Sequence, residues 1–180
     1  MNAEELLKTR RSVRKYKNQK VNRGLMEEVI ELTKWAPSWA NFQIARYTLI
    51  DDEALIKRIA QEGVHGFAYN IKTLDNAKGV AILSFVKGKS GKLNATDYAT
   101  AQENSWEIFD AGIACQQFCL AAHAKGIGTC IFGVIDSAVL ADIANLPETE
   151  TVAAVITYGY PDEDPIPTPR KDLSEIMKFL

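Results

Sequence analysis

The sequence predicts an α+β protein of the α/β-sandwich kind: a small sheet flanked by long helices, with an extended C-terminal arm. Three observations carry this. The stretch "GVAILSFV" (79–86) is a continuous apolar run of strand length, as expected for a strand buried on both faces. From about Thr96 to Lys125 the chain reads as its longest helix, nearly all apolar in its second half and closed by Gly126. The tail "PDEDPIPTPRKDLSEIMKFL" holds four of the chain's six prolines, which stiffen an extended arm and cannot build a central strand. With 180 residues, 47% of them hydrophobic, the chain suits one domain over 1–180, with 160–180 as the arm.

The remaining elements follow in order. Asn2 with Glu5 caps a first helix over 2–9. Asn22 caps a second, in which Leu25, Met26, Val29, Ile30, Thr33 and Ala36 keep helical spacing until Pro37 ends the run. "RYTLI" (46–50) reads as a strand, and "DDEALIKRIAQEG" as a capped helix closed by Gly63. Residues 63–79 read as a loop or an irregular helical cover, and "KGKSGKLN" (87–94) as a flexible solvated loop. "GTCIFGV" is a strand, "DSAVLADIANL" a capped helix and "TVAAVITYGYP" a last strand. Leu173, Ile176, Met177 and Leu180 give the tail a short amphipathic end.

Composition narrows the function. The net charge is −2, yet "KTRRSVRKYKNQK" (8–20) carries seven basic side chains and no acidic one. Taking those seven from 21 Lys and Arg leaves 14 against 23 Asp and Glu, so the positive charge is local. A local patch suits a small anion; an acidic remainder argues against nucleic acid as the partner. The charged N-terminus lacks the apolar core of a signal peptide, and no run approaches a membrane span, which leads to the expectation of a cytoplasmic protein off the membrane. Three cysteines do not make a disulfide framework. Cys115, Cys119 and His123 share a helix face, but eight residues of helix rise about 12 Å, too far for the outer two to meet at one metal. With Ile108, Ala111, Phe118 and Ala122 they are expected to face the core, and no metal site is expected.

Three stretches carry candidate chemistry. "GIGTCIFG" (126–133) has the glycines of a dinucleotide loop, but they close a helix and open a strand, the reverse of a Rossmann loop. In "RRSVRKY" the guanidinium forks offer bidentate charged bonds to phosphate, and Arg170 with Lys171 could close on the same anion. "WAPSWANFQ" (35–43) mixes aromatic faces with amide donors, a combination suited to a flat heterocycle with polar edges.

Taken in order, "RRSVRKY", "APSWANFQ", "DAGIACQQFCLAAHAKGIGTCIFG" and the closing "PRKDLSEI" resemble the FMN-dependent nitroreductase family over nearly the whole chain. The resemblance implies a mostly antiparallel sheet and a homodimer with two FMN sites at its interface. It implies that Arg10, Arg11, Ser12 and Arg14 contact the FMN phosphate and ribityl chain, with Arg170 as a C-terminal phosphate contact. Pro37, Ser38 and Asn41 would lie against the flavin held chiefly by the other subunit. Asn70 would meet the ring edge, and Phe132 and Gly133 would form the turn whose backbone N–H faces flavin N5 and O4. The implied activity moves electrons from NAD(P)H through FMN to a nitroaromatic, quinone or similar small acceptor. Relatives that dehalogenate, consume their flavin or merely bind it are the alternatives. The sequence departs from the family where Gln43 is followed by Ile44 and Ala45 in place of Pro-Trp, and where Trp39 replaces a small residue. Trp39 is accordingly expected to face and narrow the acceptor pocket. The chain is also shorter than the best-known reductases of the family.

Overall fold

In a computed structural model, which describes residues 1–180, a four-stranded antiparallel sheet is covered by helices on both faces. The strands are β1 (Ala45–Ile50), β2 (Gly79–Val86), β3 (Gly128–Phe132) and β4 (Glu150–Gly159), in the order β1-β2-β4-β3. The two central strands are therefore β2 and β4, the two most apolar runs. Side chains of β2 alternate as the pleat requires. Val80 and Ile82 join Ile56, Ile59, Phe132 and Leu140 on one face, whereas Ala81 and Leu83 join Met26, Val29, Phe118 and Ile156 on the other. A bulge at Leu83/Ser84 shifts the register with β4, and buried Ser84 spends its hydroxyl on Glu150 at 2.6 Å.

The helices begin where short polar side chains can cap them. Asn2 opens α1 (Ala3–Thr9) with a reciprocal capping box to Glu5, and Asn22 opens α2 (Arg23–Thr33) by accepting from the Gly24 N–H. Asp52 caps α3 (Glu53–Glu62) through the Leu55 N–H. Asp136 caps α6 (Ser137–Ile143) through the N–H groups of Ala138 and Val139. Helix α5 (Ser105–Ala124) runs its length across the sheet face shared with α2, with Phe118 fully buried. No helix is long and apolar enough to cross a membrane.

Three expectations change. Residues 63–79 contain a regular helix, α4 (Ala68–Leu74), whose Asn70, Thr73 and Leu74 point inward. The long helix starts at Ser105, not at Thr96. Residues ahead of it fold back on the preceding turn instead: Ala99 N–H donates to Gly91, Leu93 N–H to Asp97, and Asn94 Oδ1 accepts from both Thr96 and Asp97 N–H groups. The turn at 87–91 is not simply solvated either, because Ser90 and Gly91 are buried. The arm beyond Tyr160 is extended apart from α7 (Leu173–Ile176), and Leu173, Ile176 and Phe179 lie open to solvent.

Close backbone approach explains one of the two glycines that capping leaves open. A Cβ on Gly128 would sit 2.8 Å from the Val13 side chain, so the segment after α1 can lie on β3 only if residue 128 is glycine. Around Gly133 nothing lies within 4 Å of a built Cβ. Gly128→Ala should therefore destabilise the fold by about 1–3 kcal/mol in urea titration, as overpacking does, whereas Gly133→Ala should leave the midpoint unchanged.

Candidate active site

The basic segment is an extended strap, not a free turn. After α1 the backbone runs along the end of the sheet, with Val13 N–H donating to Thr129, Lys17 N–H to Tyr160, and Asp162 N–H to Lys15. Val13 and Tyr16 turn inward and are buried. The Tyr16 hydroxyl donates to the Val13 carbonyl at 2.6 Å and lies 2.8 Å from Thr157 Oγ1. Its ring rests where a Cβ on Gly159 would stand. Burial pushes the Tyr16 phenol far above its ordinary value, with the Thr157 hydrogen bond opposing; it is a neutral peg. Pinned this way, the strap presents Arg10, Arg11, Ser12 and Arg14 in fixed order along one edge.

These arginines have no carboxylate partner. The ion pairs of the molecule involve other groups, and Glu163 meets the strap at its backbone, accepting from the Arg14 and Lys15 N–H groups. Arg11 spends its Nη1 on the carbonyls of Lys8 and Arg10, at 2.6 and 2.8 Å, while its Nε is buried without any acceptor. A buried charged donor without a partner is costly and rare. His123, at the last turn of α5 and 2.9 Å from Thr9 Oγ1, registers the same positive field. Burial first, then the charges of Arg10 and Arg11, lower its pKa from the ordinary histidine value. Arg170 does not reach this group; it folds back on Thr168 and Pro169 of its own arm.

Beside the strap opens a cleft of about 470 Å³ lined by Arg14, Phe67, Tyr69, Asn70, Ile131 and Phe132. Three of the sequence-predicted residues thus meet here: Arg14, Asn70 and Phe132. Asn70 is buried on α4 and donates from Nδ2 to the Val134 carbonyl at 3.2 Å, which holds the turn after β3. Gly133 lies in that turn, between Phe132 and Val134, with open space where a side chain would be.

The second half of the expected site lies elsewhere. Pro37 ends the α2 region, and a 3₁₀ turn covers Trp39–Asn41. Ala40, Asn41 and Gln43 adopt positive φ of 45°, 56° and 49°, an unusual density of left-handed non-glycine residues. The conformation is held by the Gln43 N–H donating to Ser38 Oγ at 2.8 Å and by Asp110, whose two carboxylate oxygens each lie 3.0 Å from the Trp39 nitrogen. Asp110 stands near the start of α5 and His123 at its end, a separation of about 20 Å at 1.5 Å per residue. Within one chain, Pro37, Ser38 and Asn41 are consequently remote from the arginine strap. Trp39 packs on Trp106, ring centroids 4.8 Å apart, and Trp106 packs edge-on against Phe109.

Sequence reasoning did not single out Tyr16, Trp106, Glu107 or Asp110. The signal for the last two was available: two carboxylates in the apolar stretch "SWEIFDAGIAC" face inward and are 6% and 3% exposed. Because Glu107 takes an inward position, Ile108 faces out, contrary to its expected place in the core; it is 57% exposed. Cys115 and Cys119 are buried as expected, whereas His123 is half-buried. Ile108, Phe109 and Gly112 make an open stripe on α5, and Trp35 stands 77% exposed after α2.

Comparison with known proteins agrees with this architecture. The model of the Nitroreductase family matches residues 7–160. A protein of Methanothermobacter thermautotrophicus provisionally named an NADH dehydrogenase/NAD(P)H nitroreductase is 27% identical over 169 residues, covering 92% of this chain and 80% of its own. The structure of a nitroreductase family protein from Streptococcus pneumoniae TIGR4 superposes with a TM-score of 0.85 at 19% identity, covering 99% of this chain and all of that one. A provisionally named nitroreductase from Desulfovibrio desulfuricans, solved in complex with FMN, gives 0.80 at 24% identity over 98% of this chain and 96% of that one. With the family model spanning most of its length, the chain belongs to the nitroreductase family.

Proposed function

We propose that this protein is an FMN-dependent oxidoreductase that draws electrons from NAD(P)H and delivers them to a small acceptor such as a nitroaromatic or quinone. The observation that carries the reading is the uncompensated arginine strap. Arg11 Nε is buried and lacks an acceptor, Arg10 and Arg14 have no carboxylate, and the strap borders a cleft floored by Phe132. A dianionic phosphate ester fits that donor set, since it supplies several acceptor oxygens at once. Arg10, Arg11, Ser12 and Arg14 would hold the phosphate end of FMN; Asn70 and the Phe132–Gly133 turn would meet the ring. Open space at Gly133 leaves its backbone N–H accessible to a flat ligand. Bound FMN would supply the redox chemistry, taking hydride from a nicotinamide and returning electrons to the acceptor.

The reading requires a second copy of the chain. Pro37, Ser38 and Asn41 stand at the far end of α5 from the arginines and are free to complete a partner's site. The outward stripe of Ile108, Phe109 and Gly112, together with Trp35, is an apolar face of the kind that marks an interface. The arm carries further exposed apolar groups at Ile166, Leu173, Ile176 and Phe179, suited to reaching across that partner, where Arg170 would come within range of the other subunit's phosphate. No loop is spare for a separate dinucleotide site: Gly126 closes α5 at φ 76° and Gly128 is consumed by Val13. NAD(P)H and acceptor would then take turns on one face.

Three outcomes test this. Arg14→Ala should weaken FMN by about tenfold to a hundredfold, the range of one charged hydrogen bond, and leave riboflavin unchanged in fluorescence titration; equal losses would detach the strap from the phosphate. Sedimentation equilibrium should give a dimer of the 20.0 kDa chain, and a monomer that retains FMN would contradict a shared site. Steady-state kinetics should be ping-pong, with parallel double-reciprocal lines and mutual competitive inhibition at high substrate. Intersecting lines would require a second dinucleotide site.

A further inference from the structure

Two buried carboxylates on α5 stand behind the candidate site rather than in contact with a ligand, and they do different things. Glu107 Oε1 accepts from the Gly88 and Lys89 N–H groups, at 2.5 and 3.1 Å, and so holds only the turn after β2. Asp110 bonds two separate loops. It accepts from the Trp39 N–H and also from the Ser90 hydroxyl at 2.6 Å, and Ser90 is fully buried. The two loops meet again above it through aromatic rings. Trp106 Cδ1 would lie 3.1 Å from a Cβ on Gly91, in the same turn as Ser90, and Trp106 also packs on Trp39. Trp106 Nε1 is itself fixed by Thr100 Oγ1 at 2.9 Å. Neither carboxylate has a cationic partner, so each is held by these neutral donors alone.

We propose that Asp110 is a positioning residue that locks the Trp39–Trp106 pair between the 38–43 loop and the 88–91 turn, and thereby sets which acceptors the site admits. The second clause rests on the oxidoreductase reading, in which the 38–43 loop completes the partner's site; the first stands on geometry alone. Asp110 is acceptor-only, and both groups facing it are donors. An asparagine in its place sets an amide N–H₂ against one of those donors. The other anchors of the loop are the Ser38 hydroxyl, its own 3₁₀ backbone bonds and Arg46 Nη1 on the Gln43 carbonyl at 2.8 Å, and none of them holds the Trp39 N–H. Release of the Trp39 backbone would free its indole from Trp106 and, on the oxidoreductase reading, change the shape of the acceptor pocket that the loop borders.

The test compares Asp110→Asn, Ser90→Ala, Glu107→Gln and Trp39→Phe in the full-length protein loaded with FMN. Two indoles this close give an exciton couplet in far-ultraviolet circular dichroism, which Trp39→Phe abolishes and thus defines. Assayed at saturating FMN, Asp110→Asn should lose the couplet and raise acceptor KM about tenfold, with the rate of anaerobic flavin bleaching by NAD(P)H within about twofold of the parent. Ser90→Ala should move both readouts the same way by less, and it serves if the asparagine variant does not fold. Glu107→Gln should leave couplet and KM unaltered. A couplet that survives both Asp110→Asn and Ser90→Ala overturns the lock. A lost couplet with unaltered acceptor KM overturns its role in selectivity. A parent protein that NAD(P)H fails to bleach removes the oxidoreductase reading and the selectivity clause together, and the couplet alone then decides whether Asp110 holds Trp39.

Discussion

The packing of α5 across the sheet is the constraint on which the rest of the molecule depends. Phe118, Cys119 and Ala122 bury the second half of this helix against β2 and β4, and α2 packs beside it. Rigidly fixed, it acts as a ruler. Its last turn meets Thr9 and the arginine strap; its first turns receive the 38–43 loop and the 88–91 turn. The two groups of residues that the family resemblance assigns to one cofactor are therefore held about 20 Å apart along one axis. Neither flexing of the strap nor a rotamer change can close that distance. On the proposed reading, a second chain with its own α5 would bring the halves together.

The strap shows how a fold can concentrate charge along one short segment. Seven cations in thirteen residues would repel one another if merely solvated, and three of them are aligned without a carboxylate. The cost is met by backbone pairing to Thr129, Tyr160 and Asp162 and by the buried Tyr16 peg. Gly128 and Gly159 exist to let that strap lie down: each would place a Cβ within 3 Å of Val13 or Tyr16. The same end of the molecule leaves Arg11 Nε buried and unpaired. On the proposed reading, that unsatisfied cation is the group an anion would relieve on binding.

Local signals made most of the fold legible. The caps at Asn2, Asn22, Asp52 and Asp136, the continuous apolar run of β2, and the break before Pro37 each express a contact within a few residues. What eluded the sequence were long-range partners. The segment 96–104 has helix-compatible composition, yet its backbone is claimed by Gly91 and Leu93. Ser90 looks like a loop residue because the carboxylate that buries it lies on another element. Half of the candidate site was legible as a charge pattern and half as a loop motif. Their separation was not, since no periodicity encodes distance across a helix. Nor did spacing disclose the partners of Trp39, whose ring lies on Trp106 and whose backbone N–H is held by Asp110.

The claim that each flavin site is shared between two chains has a direct measurement in subunit complementation. Arg14→Ala damages one half-site and Asn41→Ala the other. Mixing the two variants at equal concentration after reversible dissociation makes hybrids about half of all dimers, and each hybrid carries one site with both lesions and one with none. High-affinity FMN binding and NAD(P)H-driven turnover should return to about a quarter of the parent's sites, from variants that each lack it. No recovery in the mixture, with hybrids demonstrated by native mass spectrometry, would contradict the shared site.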